Sequence, residues 1–494
     1  MLSITFKHLV ALCASFLVLL STRVSFTTQA DNSVRNNQRS ETRMSPKPVN
    51  RRLLAAIAAS AMLSISLAAC STTAEPAAAP AIDTAANPAS VTGTITLMRN
   101  PGEINEDTIA AFNEVFPNVK VEMIDVDPIN LKALQAAGTP PDLFRVEAPT
   151  VPPLVAQGQL MDLTTPLSEV GITGDTTFKS ADLYLVDGKR YGAPNDWSPD
   201  FNVYVNNKLF EAAGIPVPDP SVPLSWQEFA ELAKQLTISD GTTTSQFGFG
   251  GAWDTFGPAR VVSTAVAEGG KTLYAEDQES INLVSNPDAM DALEIMADMA
   301  KAGYMHSPAN PSASWSGDEF TKGTIAMISY GYWYNSFLNK GDTAVGFDYT
   351  VLPAPYWKSE ANRINPTITG TGYVMSSKTK NPQAAWAFLN WYAYDKGAID
   401  RASTGHGFPT LKANVPLLPQ ASDVDKQAFE VVSLDAEVSP ALQFNRYYDD
   451  AVFTDSYNKY LQDYIKGSID LEAMAQSIEN DVNAAIQDGV QQFK

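Results

Sequence analysis

From about residue 91 the chain alternates between two hydrophobic periods, and this predicts strands and helices in turn. Thr94-Ile-Thr-Leu-Met-Arg99 has the two-residue period of a half-buried strand. Asn105 to Phe116 then sets Ile109, Phe112, Val115 and Phe116 on one helical face, with Asn105 placed to cap it. Val119-Lys-Val-Glu-Met123 returns to period two. A short helix over 131–137, a turn at Gly138-Thr-Pro-Pro141 and a strand over 142–146 follow. Strand, helix, strand, helix, strand is the grammar of βαβ units and a mainly parallel sheet.

The same grammar recurs downstream. Ser225 caps a helix over 226–236, and Glu228 stands at the capping-box position. Residues 287–302 carry Ala289, Leu293, Met296 and Met299 on one face. Strands are predicted at 346–352 and 373–376, an aromatic-rich helix over 382–394, and closing helices over 447–465 and 471–487. No internal repeat interrupts the series. The fold class is α/β, and roughly 400 globular residues exceed what one core supports, so two lobes are expected.

Two apolar stretches precede this body. Leu9 to Leu20 is too short to span a bilayer as a helix. Leu53 to Ala69 follows Lys47, Arg51 and Arg52 and closes on small residues, which describes a secretory signal over about 44–69. Met44 stands where such a signal begins, so residues 1–43 read as an over-extended start. Leu67-Ala-Ala-Cys70 resembles the lipobox of bacterial lipoproteins. The resemblance implies cleavage before Cys70 and acylation of it, each buried methylene adding about 0.8 kcal/mol of membrane affinity. Residues 70–90 are rich in Ala and Pro and read as a flexible tether.

Charge narrows the ligand. Eight of the 34 basic residues and two of the 55 acidic ones lie before residue 71, leaving 26 against 53 in the rest. Such a surface repels phosphate backbones, so no nucleic-acid partner is expected, and it disfavours anionic ligands. Cys13 and Cys70 are the only cysteines, so the body contains no disulfide. No segment after Cys70 is apolar long enough to cross a membrane, so the protein reads as anchored to one and not spanning it.

Catalytic and metal signatures are missing. There is no Gly-x-Ser-x-Gly elbow, and after Cys70 only His306 and His406 remain, without metal-ligand spacing. Asp125-Val-Asp127-Pro-Ile-Asn130 starts like a calcium loop but lacks its sixth-position glycine and has Ala136 where the closing glutamate belongs. Ala265-Val-Ala-Glu-Gly-Gly-Lys-Thr272 approaches a phosphate loop. Its predicted order, helix then strand, is the reverse of what anion binding needs. No cofactor, no metal and no enzyme activity are expected.

Several motifs in order resemble those of the family 1 extracellular solute-binding proteins of sugar-importing ABC transporters. They include Gly138-Thr-Pro-Pro-Asp-Leu143, Asp187-Gly-Lys-Arg-Tyr-Gly-Ala-Pro194 and Tyr204-Val-Asn-Asn-Lys-Leu-Phe-Glu-Ala-Ala-Gly-Ile-Pro216. Phe320-Thr-Lys-Gly-Thr-Ile-Ala-Met327, Gly331-Tyr-Trp333, Gly370-Thr-Gly-Tyr-Val-Met-Ser376 and Asn381-Pro-Gln-Ala-Ala-Trp386 continue the series. The resemblance implies a type II periplasmic-binding-protein-like fold with two discontinuous α/β lobes joined by a hinge. One lobe would be 91–202 plus 356–402, the other 203–355 plus 403–494. It also implies a monomeric, extracytoplasmic, lipid-anchored protein that delivers a sugar or oligosaccharide to ABC permease subunits. A non-sugar solute such as a polyamine, or an exported polysaccharide-active enzyme, are the alternative readings.

A sugar ring offers an apolar C–H face and a rim of hydroxyls, which aromatic rings and planar polar groups complement. The aromatic candidates are the loop residues Trp197, Trp253, Trp315 and Trp333, with Trp333 matched to the Gly-x-Trp pattern that begins at Gly331. Trp226, Trp386 and Trp391 lie at core spacing in helices. Polar candidates are Arg99, Glu103 and Glu147 near strand ends, and Asp196 in the loop beside Trp197. Gly372 is the point where backbone could approach a ligand, and Tyr447 a C-terminal aromatic.

Overall fold

The computed structural model describes residues 82–251, 257–339 and 344–493. The leader, Cys70 and Trp253 lie outside them. Residues 82–90, expected to be free tether, instead lie on the body. Ile82 and Ala86 pack against its core, the Asp83 amide donates to Gln383 Oε1, and Asn87 caps a single helical turn at Pro88–Ser90.

The first lobe opens with β1 (Gly93–Arg99), α1 (Glu106–Val115), β2 (Val119–Asp125), α2 (Pro128–Ala136) and β3 (Leu143–Glu147). Asn105 caps α1 with a full capping box. Helix α2 starts three residues earlier than the apolar pattern predicts, because Asp127 caps it and Pro128 fits its first turn. Short helices α3 (Val151–Ala156) and α4 (Thr164–Glu169), the hairpin β4 (Leu185–Val186) and β5 (Lys189–Arg190), and β6 (Gly192–Asp196) follow.

The chain then enters a second sheet. It contributes β7 (Val203–Asn206), α5 (Asn207–Ala213), α6 (Trp226–Leu236), β8 (Ile238–Ser239), β9 (Thr244–Gly251), α7 (Pro258–Glu268), α8 (Pro287–Lys301), α9 (Ser316–Thr321), β10 (Ile325–Ser329), α10 (Trp333–Asn339) and β11 (Tyr349–Leu352). It returns to the first sheet with β12 (Thr371–Met375), α11 (Pro382–Tyr394) and α12 (Lys396–Ser403). Helices α13 (Asp423–Glu437), α14 (Ala451–Ile465) and α15 (Leu471–Phe493) complete the chain.

The sheet orders are β2-β1-β3-β12-β6 and β11-β7-β10-β9-β8. The first is mainly parallel as expected: β1, β2, β3 and β6 run one way and β12 alone opposes them. The second is mixed, with β9, β10 and β11 running one way and β7 and β8 the other. The strands that arrive from, or leave for, the other lobe (β6, β12, β7 and β11) pair antiparallel. Both faces of each sheet are covered. Leu97 enters one apolar cluster and Met98 another, while Val203 and Val205 face one side of the second sheet and Tyr204 the other.

Two crossing segments, about 197–202 and 353–370, are pinned by buried carboxylates. Asp435 from α13 is fully buried. Its Oδ2 accepts from Asn202 Nδ2 at 2.8 Å, Asn365 Nδ2 at 2.8 Å and the Ala354 amide at 3.0 Å. Arg363 closes an ion pair on its Oδ1. Asp200 ties one crossing to the other, its Oδ2 accepting from the Ile368 and Thr369 amides at 2.7 and 3.2 Å. Truncating one member of such a network strands the others without water. Asp435→Ala is therefore expected to lower unfolding free energy by about 3–5 kcal/mol, read from chemical denaturation; a loss below about 1 kcal/mol, the scale of a surface pair, would refute the assignment.

Candidate ligand-binding site

In the first sheet the cleft edge is set by register. Thr371, at the start of β12, pairs with Glu147 at the end of β3 and with Asp196 at the end of β6. Arg99 ends β1 beside Asp125, which ends β2. Carboxyl ends of parallel strands are where α/β sheets open a crevice. In the second sheet, Ser329 ends β10 opposite Val203, the first residue of β7, and the chain turns at once through Gly331 into Trp333.

Gly331 is required by proximity. A Cβ there would stand 2.6 Å from Ser198 Cβ and 2.8 Å from Asp200 Oδ1, in the crossing segment. This contact fixes the start of α10 against the hinge. Trp333, half-buried, stacks on the half-buried Trp315 with ring centroids 6.0 Å apart and planes 20° apart. Phe337 flanks Trp315 at 5.2 Å, and Tyr330 and Tyr334 lie beneath both indoles. Each of these two phenols has a partner: Tyr330 Oη lies 2.8 Å from Ser316 Oγ, and Tyr334 donates to the Gly317 carbonyl at 2.7 Å. Burial pushes the Tyr334 hydroxyl well above its ordinary pKa, so it stays a donor.

Trp315 is placed by a loop that Glu319 organises. Glu319 Oε1 accepts from Ser312 Oγ and from the Ala313 and Ser314 amides at 2.9–3.1 Å, while Oε2 meets His306 Nε2 at 2.5 Å. Burial alone would raise the Glu319 pKa. The charge and hydrogen bond of His306, with those of Ser314 and Ser312, outweigh burial and hold it below the usual carboxylate range.

Of the polar candidates, Arg99, Glu103 and Glu147 are engaged in ion pairs. Arg99 Nη1 meets Asp125 at 2.9 Å, and Arg145 Nη2 meets Glu103 at 2.7 Å. Glu147 accepts from Arg260 Nη1 at 3.0 Å, and Arg260 Nε donates to Asp450 at 2.7 Å. Arg260 opens α7 of the second lobe, so this triad crosses the junction. Burial would lower the Arg260 pKa, but the charges of Glu147 and Asp450 outweigh it and hold it above the ordinary value. Asp187 takes both Arg446 guanidinium nitrogens at 2.8 and 3.1 Å, and Lys132 approaches Asp449 at 3.7 Å.

Two expectations are corrected. Trp197 is 0% exposed, its Nε1 donating to the Pro409 carbonyl at 2.8 Å and its ring covered by Phe178 and Phe408. The crossing passes here, so the indole fills the junction and presents no face to a ligand. Gly372 does not open toward a ligand: a Cβ would meet the β6 backbone at 2.4 Å and Tyr184 Oη at 2.7 Å, so its role is strand packing. Tyr447 is half-buried against the second lobe's core. Trp315, Gly331 and Trp333 are brought together; Glu147 and Asp196 share a second edge in the first sheet. Trp226, Trp386 and Trp391 are buried. An open groove of about 710 Å³ between α6 and α8 is lined by Glu231, Asp291 and Asp298 and shares no residue with the aromatic wall. Sequence reasoning missed Arg260 and Asp450, because neither carries a local motif.

Two sheets with helices on both faces, joined by crossing segments, define a type II periplasmic-binding-protein-like fold. Residues 99–399 match the model of the bacterial extracellular solute-binding proteins, and the chain belongs to that family. An uncharacterised lipoprotein of Streptomyces antibioticus is 24% identical over 315 residues, 62% of this chain and 66% of the relative, just under two thirds of its length. Among solved structures, an ABC substrate-binding protein of Listeria monocytogenes in complex with cycloalternan aligns with a TM-score of 0.67 at 21% identity. That alignment covers 80% of this chain and 98% of that one. The sugar-binding protein MalE of Xanthomonas citri aligns at 0.64 and 16% identity, covering 81% and 99%.

A carboxyl group whose pKa is lower folded than unfolded stabilises the protein above the unfolded value and ceases to do so as pH falls through the folded one. Glu319 is such a group, with an ordinary value of 4.5. The stability gap between wild type and Glu319→Gln, measured by urea unfolding, is expected to be full at pH 6 and to shrink as pH drops below 4.5. A gap that stays constant or widens on acidification would refute this reading.

Proposed function

We infer that this protein is the capture component of an ABC importer, binding a sugar or oligosaccharide between its lobes and passing it unaltered to membrane permease subunits. One observation carries the reading. Stacked Trp315 and Trp333, flanked by Phe337, form an aromatic wall directly after a strand end in the second lobe. Such a surface complements the C–H face of a pyranose. Glu147 at the end of β3 supplies a polar group on the first lobe, and Asp196 ends β6 at the same register, both opposite Thr371 of the intervening β12. The sugar-bound Listeria neighbour supports the same ligand class.

We take the moving bodies to be 91–202 with 356–402, and 203–355 with 403–494. A ligand closes them only through its extra affinity for the closed form. An acylated Cys70 would hold the protein at the extracytoplasmic face of the membrane, two or more chains anchoring firmly where one holds weakly. Mass labelling of the mature protein with a fatty-acid probe tests this, and an unmodified, freely secreted chain would refute it.

A thermal-shift panel of mono- and oligosaccharides, with spermidine as the cationic control, identifies the ligand, because a tight ligand raises apparent stability by mass action. Trp333→Ala is expected to weaken that ligand about tenfold or more while leaving the unfolding transition cooperative. Calorimetry showing unchanged affinity would remove Trp333 from the site; a shift by spermidine alone would overturn the carbohydrate reading.

A further inference from the structure

Four ion pairs near the lobe junction and the strand ends of the first sheet match one cation with one carboxylate each. Arg99 pairs with Asp125, Arg145 with Glu103, Arg446 with Asp187 and Lys132 with Asp449. Arg260 is the exception in stoichiometry, since it lies between two carboxylates, Glu147 from the first lobe and Asp450 from the second. Those five cations thus meet six carboxylates, and the excess negative charge resides in the triad that joins the lobes. Glu147 retains 39% of its side-chain exposure while Arg260 keeps only 11%, so the triad presents carboxylate, not guanidinium, to solvent.

We propose that the Glu147–Arg260–Asp450 triad makes the cleft selective for uncharged carbohydrate over acidic sugars, because its one guanidinium is neutralised twice over and leaves an outward-facing negative charge. The inference rests on the carbohydrate reading above and deepens it to a ligand class. An acidic sugar needs an unpaired cation to replace the water its carboxylate loses on burial. Here the cation is bound by both carboxylates, and releasing it means breaking a junction ion pair. A ligand carboxylate about 6 Å from one net negative charge, at an effective dielectric of about 40, is disfavoured about tenfold. A neutral hydroxyl rim meets no such opposition, and Glu147 can accept from it with an oxygen lone pair not used by Arg260.

The probe pair is the neutral sugar giving the largest thermal shift and the same sugar with its primary alcohol oxidised to a carboxylate. Titration calorimetry on the full mature chain is expected to show the neutral form binding about tenfold or more tightly at low salt. Raising salt to about 1 M, where screening acts within about 3 Å, should shrink that ratio. Glu147→Gln should shrink it as well at low salt, since Arg260 then balances Asp450 alone. The variant keeps one ion pair on Arg260, and the salt titration on wild type needs no variant.

Equal binding of the two sugars by wild type would overturn the proposal. So would a ratio untouched by both salt and Glu147→Gln, which would trace discrimination to the lost hydroxyl. If neither sugar of any pair binds, the carbohydrate reading itself fails, and this inference with it.

Discussion

Two carboxylates buried at the hinge, Asp200 and Asp435, govern the rest of the architecture. Crossing segments are the one place where a chain must pass between lobes without the hydrogen bonds of a sheet or helix, yet their backbone groups are buried and need partners. An ionised carboxylate offers about four acceptor positions, more than any amide. Asp435 uses them on Asn202, Asn365, Ala354 and Arg363, residues that come from both crossings. Taking a carboxylate out of water costs several kcal/mol, and only such full coordination offsets it. The arrangement trades some stability for a defined geometry between the crossings.

That geometry propagates outward. Asp200 and Ser198 leave room only for a glycine at position 331, so the turn after β10 is registered against the hinge. Trp333 begins the helix two residues later, and Trp315 is held against it from the other side by a loop that Glu319 gathers. Offset aromatic contacts contribute about 0.5–1.5 kcal/mol each beyond their area. Stacking also removes rotamer freedom from the two indoles, which on the proposed reading would reduce the ordering cost of binding a sugar.

The readable parts of this molecule are those encoded within a few residues. Capping boxes at Asn105 and Ser225, the period of α8 and the aromatic core of α11 follow from local spacing, and the structure matches them. Trp315, Gly331 and Trp333 were singled out because their loops carry polar and glycine neighbours that a core indole lacks, and the structure stacks the two indoles on each other, half-buried. Trp197 has the same local appearance, Asn-Asp-Trp-Ser-Pro, and fails for a non-local reason: its partner carbonyl at Pro409 is 212 residues away. The direction of β12 fails likewise, since this strand enters the first sheet only after the chain has built the second. Arg260 was invisible because a single arginine on a helix acquires meaning only from Glu147 and Asp450, 113 and 190 residues distant.

The charge distribution and the aromatic wall solve complementary problems. A chain with 53 acidic and 26 basic residues after residue 70 gains no steering toward a neutral ligand, and loses none. On the proposed reading, affinity for an uncharged solute would then come from shape and desolvated contact with the stacked indole face. Ionic groups at the junction serve the other requirement, holding the lobes in register with Arg260 bound by a carboxylate from each. On the proposed reading, the residues that set the lobe geometry would thereby restrict which solutes the aromatic wall receives.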